Sequence, residues 1–475
     1  MSMVQTFAIP TEKSTKRLKF KVAANNTRKI VISSNWLPLM NFNAHDRIQE
    51  TSLGRNKGME IRRVLDLFAE QPDRTKKVYQ RKYKTRRNNP LEVLLEVGSQ
   101  KIINESFPAD CKNLHIIFET NKITILPITE FQCEAIKNAT PESRYDVFAA
   151  LTSGVDLYSM EKTHGLKIHS ALEWRPHEVR DKNRDLSETG ALTILRNITG
   201  IKNLFNEDIG SINTSFLKDA MGTPVTTMIA SLACDDFCNV KGSSLKQKSL
   251  EDLSSSIDMA YDLLRIIEAI KPPVICLEQV RGFYSSEIFR MIDLRLRRWG
   301  YSSNLLIGDG RDYGGLTSRV RGYAVFTCLD SPFMFEQPGA RRTDPIWNLI
   351  TRHLPDCRDV THSKSLQNGL KSGRLRTITA ESLHSPTILK SFARMARDSV
   401  CIKHNDRLYW PSEDLIKELM GISPNFKLDC VSAEIASEII GQSIQVELHD
   451  SVMRSLACHL NAYFDNAYPT PALAA

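Results

Sequence analysis

The chain has 475 residues, 41% of them hydrophobic, and a formal net charge of +8, enough for a large core and two or three domains. No run of about 18 apolar residues occurs, and the N-terminus alternates polar and basic residues without a signal peptide's apolar core; a transmembrane helix and secretion are therefore not expected, and a cytoplasmic protein is. Ten cysteines with no CxxC pair and no accompanying histidine cluster give no zinc site, and nine of them read as small, reduced core residues.

The charge is unevenly placed. Residues 1–100 hold 20 Lys/Arg against 9 Asp/Glu, a balance of +11, which leaves −3 for the other 375 residues. A basic N-terminal part on a near-neutral body suggests a polyanionic partner, most simply nucleic acid; a solvated charged surface is the plain alternative.

In chain order, residues 1–27 are polar and expected to fray. Ile30-Val31-Ile32 reads as a strand, Trp36-Leu37 as a short helix and Phe42 as a turn, while Asp46–Gln49 and Met59–Arg62 alternate like two strands around Gly54 and Gly58. The stretch "IVISSNWLPLMNFNAHDRI" resembles the small β-domains of the AbrB/SymE type, many of which bind DNA. From Arg74 to Arg87, six further Lys and Arg residues, among them Arg81 and Lys82, alternate with Tyr79 and Tyr83. Cations hold phosphates and tyrosines stack on bases, so nucleic-acid contact fits, as does a basic linker without a partner. Residues 113–127 read as a hairpin turning at 120–122.

From Asp146 the texture becomes strand–helix alternation. Strands are expected at 146–149, 168–173, 227–232, 274–277 and 323–327, with an amphipathic helix at 250–270, which predicts a doubly wound α/β sheet. A Pro-, Arg- and Ser-containing stretch follows, and helical patterns return at 413–420 and 433–464. The domains expected are a basic, β-rich accessory domain at 1–140, a catalytic domain at 141–329, an insert at 330–405 and a return to the catalytic domain at 406–475.

Three segments carry chemistry, each at the end or start of a strand. "LACDDFC" places Cys234 just past one strand, where α/β sheets bind ligands; "VICLEQV" places Glu278 at the end of the next; "TSRVRGYAVF" places Arg319 and Arg321 before a third. A thiol can attack a carbon and leave again, while a carboxyl and a guanidinium can take up the charge that the attack releases.

These segments resemble motifs IV, VI and VIII of the DNA cytosine-5 methyltransferases: the Pro-Cys-Gln loop, the Glu-Asn-Val strand end and the QxRxR element. The resemblance implies a class I S-adenosylmethionine-dependent methyltransferase fold with the insert as target-recognition domain. It also implies Cys234 as nucleophile at C6 of a flipped cytosine, Glu278 at N3, and Arg319 and Arg321 holding the base and ordering the loop. No metal is implied. Phe148 and Gly154 fall where the family's first motif cradles the cofactor S-adenosyl-L-methionine, Glu173 matches the acidic residue at the ribose and Asp208 the one at the adenine. Gln442 and Ser443 fall in the turn of motif X. The implied partner is double-stranded DNA, met by a monomer that touches no membrane, at the nucleoid of a prokaryotic, phage or mobile-element host. A restriction endonuclease partner is left unspecified.

Several support residues depart from the family. Pro-Cys-Gln is Ala233-Cys234-Asp235, Glu-Asn-Val is Glu278-Gln279-Val280, the Gln of QxRxR is Thr317, and of the first motif's glycines only Gly154 remains, beside Thr152 and Ser153. Asp235 next to the thiol should raise its pKa. Cys238 stands where the family usually has serine and is assigned no chemistry. Glu173 as a surface carboxylate and Asp208 as a helix N-cap are the ordinary alternatives. Two rival functions remain: a non-catalytic DNA-binding relative, which the altered cofactor loop would suit, and an RNA cytosine-5 methyltransferase.

Overall fold

The computed structural model describes residues 13–65, 75–85, 90–178, 181–238 and 241–467. The chain divides into two compact units, 1–133 and 134–475.

The first unit is built from antiparallel strands. Six pair in the order Ser14–Lys19, Asn113–Glu119, Lys122–Ile128, Met59–Arg63, Arg47–Ser52, Thr75–Lys77, and four more in the order Lys21–Val22, Arg28–Ser33, Leu91–Val97, Tyr79–Lys82. Alternation drives it: Ile30, Ile32, Leu95, Val97, Ile116, Phe118, Ile123 and Ile125 all point into one core. The 113–128 hairpin turns at Asn121, whose φ of 60° suits the left-handed region. Two sequence expectations need correction. Of residues 1–27, the described part does not fray, because Ser14–Lys19 pairs along its whole length with Asn113–Phe118. The basic stretch is not a linker either, since its backbone groups are used in ladders with Arg47–Gln49 and Leu91–Leu94. Arg74, Arg86 and Arg87 lie outside the described residues.

The second unit holds a seven-stranded sheet: β1 (Asp146–Ala150), β2 (Lys167–Leu172), β3 (Asn203–Phe205), β4 (Thr227–Ala230), β5 (Val274–Gln279), β6 (Ser302–Asp309) and β7 (Val320–Thr327), in the order β3-β2-β1-β4-β5-β7-β6. The first five in this order are parallel, and β7 runs antiparallel to both its neighbours. This is the class I methyltransferase arrangement on a mixed α/β sheet. Its central strands are short apolar runs because helices cover both faces. Among its helices are α1 (Val155–His164), α2 (Thr189–Asn197), α3 (Thr214–Met221), α4 (Ser243–Glu251), α5 (Met259–Ile270), α6 (Glu287–Arg298), α7 (Ala433–Gln442) and α8 (Val446–Ala467). Leu157 and Met160 of α1 share one core with Val452 and Leu456 of α8, so the last helix closes on the first.

The helix expected over 250–270 is in fact two. Leu253 has a φ of 59°, and Asp252 accepts from both the amide and the hydroxyl of Ser254; such side chains offer the backbone a local alternative to helix. The pattern over 433–464 likewise breaks, at Ser443. β3 and β6 escaped the periodicity, β3 because it is three residues long and β6 because an exposed edge carries polar residues. Between β7 and α7, a small sheet pairs Arg358–Asp359, Arg407–Trp410, Val400–His404 and Arg376–Ile378. The boundary expected at 405/406 falls inside its hairpin, at the left-handed pair Asn405-Asp406. No described helix is long and apolar enough to cross a membrane.

Candidate active site

Strand order reverses between β1 and β4: from β1 the chain crosses to β2 and β3 on one side, then returns to β4 on the other. At such a switch point the loops diverge and leave a crevice beyond the carboxyl ends of the strands. The crevice here is a cavity of about 570 Å³, within the roughly 300–1,000 Å³ of small-molecule sites. Its wall takes residues from the ends of β1, β2, β3, β4 and β5, from β7 and from the α7–α8 turn.

Cys234, Glu278 and Arg321 all line it. Gln279, next to Glu278 and buried, donates from Nε2 to the carbonyl of Leu232 at 2.6 Å, which clamps the cysteine loop to β5. Phe237, three residues past the cysteine, packs edge-on against Phe283 with ring centroids 5.0 Å apart. Burial pushes the Cys234 thiol up, Asp235 adds to this, and the nearby Arg321 guanidinium pulls the other way. Asp235 thus acts as the sequence suggested, but burial is the larger cause.

Arg321 lies inside β7 rather than before it. Its Nε is 3.1 Å from Oε1 of Glu278, and both side chains are mostly covered. Arg319 does not line the cavity. It is fully buried and donates to the carbonyls of Ile388 at 2.9 Å and Gly441 at 3.1 Å, tying the start of β7 to a connection within the small sheet and to α7. Burial, helped by Arg321, pushes its guanidinium well below the usual range.

The other half of the cavity holds the remaining expected residues. Glu173, at the end of β2, lines it and is 8% exposed, so it is no surface carboxylate. Burial and then Asp156 push its carboxyl up to about 8. Gly190 makes its room: a Cβ there would sit 2.2 Å from Oε1 of Glu173. Asp208 lines the cavity and accepts from the amide of Gly210 at 3.0 Å; the N-cap of the helix that follows is Asn213, not Asp208. Gln442 and Ser443 line it from the α7–α8 turn. Phe148 and Gly154 do not. Phe148 is buried within β1, and Gly154 opens α1 with a φ of 101°, a conformation that favours glycine. The loop before it departs from a glycine-rich form because Thr152 takes over: its hydroxyl accepts from Gly154 N at 3.2 Å and donates to Asp156. Thr152 and Asp156 line the cavity, as do Asp236 and Lys241; none of these four was identified from sequence as a site residue, and only the Thr-x-x-x-Asp spacing at a helix start hinted at the first pair.

The residues present fit an adenosyl ligand. The cavity offers it two carboxyls at adjacent strand ends, the backbone of a tight turn and the polar end of α7, while thiol, carboxyl and guanidinium face the same space. No group of three His, Cys, Asp or Glu is placed to hold a metal among the described residues.

Residues 187–338 match the model of the C-5 cytosine-specific DNA methylase family. Among solved structures, the chain resembles the methyltransferase EhMeth of Entamoeba histolytica with 19% identity and a TM-score of 0.51, over 68% of this chain and 98% of that one. It resembles a mutant DNMT2 of Spodoptera frugiperda with 14% identity and a TM-score of 0.50, over 66% and 99%. Similarity to the Dnmt2 methyltransferase of S. pombe is 14% with a TM-score of 0.50, over 66% and 98%. These likenesses concern the fold. No curated protein matches the sequence.

Proposed function

We propose that this chain, which carries a C-5 cytosine-specific DNA methylase match over residues 187–338, methylates cytosine at C5 in double-stranded DNA through a covalent adduct on Cys234. The observation that carries the reading is the meeting of Cys234, Glu278 and Arg321 in one cavity at the carboxyl ends of parallel strands. The acceptor strand, the adduct and an extruded base belong to the proposal, as does a cytoplasmic monomer working on the nucleoid.

Cytosine C5 is a poor nucleophile, and the chain's own residues have to change that. The base must first leave the stack, since neither C5 nor C6 can be reached inside a duplex. The Cys234 thiol gives its proton to water, and the thiolate adds to C6; electron density moves through the ring towards N3, which takes up a proton that the Glu278 carboxylate then holds by a hydrogen bond. Arg321 fixes that carboxyl and offsets its charge. The addition leaves C5 nucleophilic; Glu173, Asp208, Gln442 and Ser443, which line the cavity, would hold S-adenosylmethionine, which would supply an electrophilic methyl group there and leave as S-adenosylhomocysteine. Loss of the C5 proton to water, cleavage of the C6–S bond and release of the N3 proton then return the thiolate and the methylated base. Burial makes the thiol reluctant to ionise, so Arg321, whose charge favours the thiolate, is given two tasks.

The small sheet after β7 takes the role of reading base edges, and the basic first unit that of holding phosphates. Bisulfite sequencing of DNA and RNA from cells expressing the chain tests the whole reading. Protected cytosines at one recurrent DNA sequence are expected. Protection confined to RNA would move the substrate, and no protection alongside retained cofactor binding would leave a non-catalytic DNA-binding protein.

A further inference from the structure

The cysteine loop is held at its far side by a residue outside the catalytic set. Asp236, two positions past Cys234, has a side chain only 6% exposed. Its carboxylate accepts from Lys241 Nζ at 2.6 Å, Ser255 Oγ at 3.0 Å, and both the amide and the hydroxyl of Ser256, at 2.9 and 3.3 Å. The Ser249 hydroxyl lies at 3.5 Å. One carboxylate therefore gathers donors from α4, from the residues before it and from the break between α4 and α5. Burial would raise this carboxyl, but its hydrogen bonds to Lys241, Ser256 and Ser255 outweigh it and bring it down to about 2, so it stays charged and bonded across the physiological range.

The other bonds of the loop do not do this work. The amides of Phe237 and Cys238 both donate to the carbonyl of Cys234 at 3.0 Å; they shape the turn but anchor it to nothing. Gln279 fixes the entry at Leu232, and Phe237 contributes an apolar contact without direction. A turn fixed only at its entry can pivot, carrying the sulfur with it. Among the described residues, the directional exit bonds converge on Asp236.

We infer that Asp236 is a positioning residue for Cys234: by tying the exit of the loop to Lys241, Ser255 and Ser256, it sets where the sulfur stands in the cavity. This rests on the methyl-transfer reading of Cys234. An error of about 1 Å in the placement of a reacting group can cost about 10²-fold in rate, and that is the size of effect expected here.

The test uses the full chain in a Cys238→Ser background, so that Cys234 is the one thiol of the loop. Asp236→Ala and Asp236→Asn are compared by S-adenosylmethionine affinity, by the rate of covalent trapping on duplex DNA carrying 5-fluorocytosine, by KM for DNA, and by alkylation of Cys234 with iodoacetamide. For Asp236→Ala, trapping should slow by about 10²-fold with KM and cofactor affinity within about two-fold of the parent, while alkylation becomes faster; Asp236→Asn should fall between. A role in stability alone would not slow trapping while leaving cofactor affinity intact. If Asp236→Ala does not fold, Lys241→Met removes one donor and should show the same directions, more weakly. Trapping at the parent rate in whichever variant binds cofactor overturns the inference. A parent that never traps overturns the methyl-transfer reading, and the inference falls with it.

Discussion

The guanidinium of Arg321 reaches the carboxylate of Glu278 across two strands, and strand polarity decides that it can. Glu278 stands opposite Tyr323 in the antiparallel β5–β7 ladder, so Arg321, two residues before Tyr323, is its diagonal neighbour on the same face of the sheet. Glu278→Gln should keep the shape and lower methyl transfer by about 10²–10⁴-fold. Arg321→Met should also lower it, and the losses in the double variant should fall short of the product of the two single losses, because the arginine acts partly through the carboxylate and partly on the Cys234 thiolate. Losses that multiply in single-turnover assays would show that the two residues act separately.

Two thiols in one turn give a direct test of the nucleophile. On DNA containing 5-fluorocytosine, elimination stalls because fluorine cannot leave as a proton does, and the chain should be trapped covalently. Cys234→Ser should lose the trapped species and nearly all turnover, a hydroxyl being far less ionised than a thiol at neutral pH. Cys238→Ser should keep both. Trapping that followed Cys238 on a denaturing gel would overturn the assignment.

Glu173 predicts a pH dependence with a definite sign. Its folded value, about 8, lies above the ordinary carboxyl value of 4.5, so between these limits the folded chain holds a proton that the unfolded chain has released. The stability this contributes is complete below about 4.5 and is lost as pH rises through about 8, at a slope of up to about 1.4 kcal/mol per pH unit. Thermal melts of the parent should therefore fall more steeply from pH 6 to 8 than those of Glu173→Gln. Cofactor affinity should run the other way, rising with pH in the parent as the carboxylate forms and staying flat in the variant. Parallel pH profiles would remove both claims.

Gly322 is a glycine for steric reasons. A Cβ there would lie 2.1 Å from Cε2 of Tyr284, and that ring cannot retreat, since its hydroxyl donates to Leu277 O and Gly322 O, each at 2.8 Å. Gly322→Ala should cost about 1–3 kcal/mol, the usual range for overpacking, seen as a lower melting temperature. An unchanged melt would mean that the two strands spread more easily than this packing allows.

The exposed strand Tyr79–Lys82 offers the cations proposed to hold phosphates in the first unit. Replacing Arg81 and Lys82 by glutamate should weaken DNA binding without moving the methylated site. For each phosphate that is no longer neutralised, the slope of log K against log salt should become shallower by about 0.9. A slope identical to the parent's would make these charges a solvated sheet edge.

Much of this site was legible in the residues. Cys234, Glu278 and Arg321 could be read because strand-end positions in a parallel sheet project into one crevice, and the order of apolar runs announces such a sheet. Glu173 and Asp208 were legible on the same ground. Arg319 was read in the same way but lies elsewhere: two guanidinium groups two residues apart look alike in sequence, and only the surrounding carbonyls of Ile388 and Gly441 make one of them an internal tie.

By itself the sequence determined the α/β class, the strand ends that bear thiol, carboxyl and guanidinium, and the basic character of the first hundred residues, because these follow from apolar periodicity and residue chemistry along a local stretch. Tertiary structure alone decided the rest. It made strands of the basic stretch, since pairing depends on partners far along the chain. It held open the break in 250–270 that Asp252 and Ser254 begin locally, since the two serines that follow bond to Asp236. It also brought Asp236 and Lys241 into the wall of the cavity. Hydrogen bonds between residues distant in sequence leave no period to read, and their partners are chosen only when the chain has closed on itself.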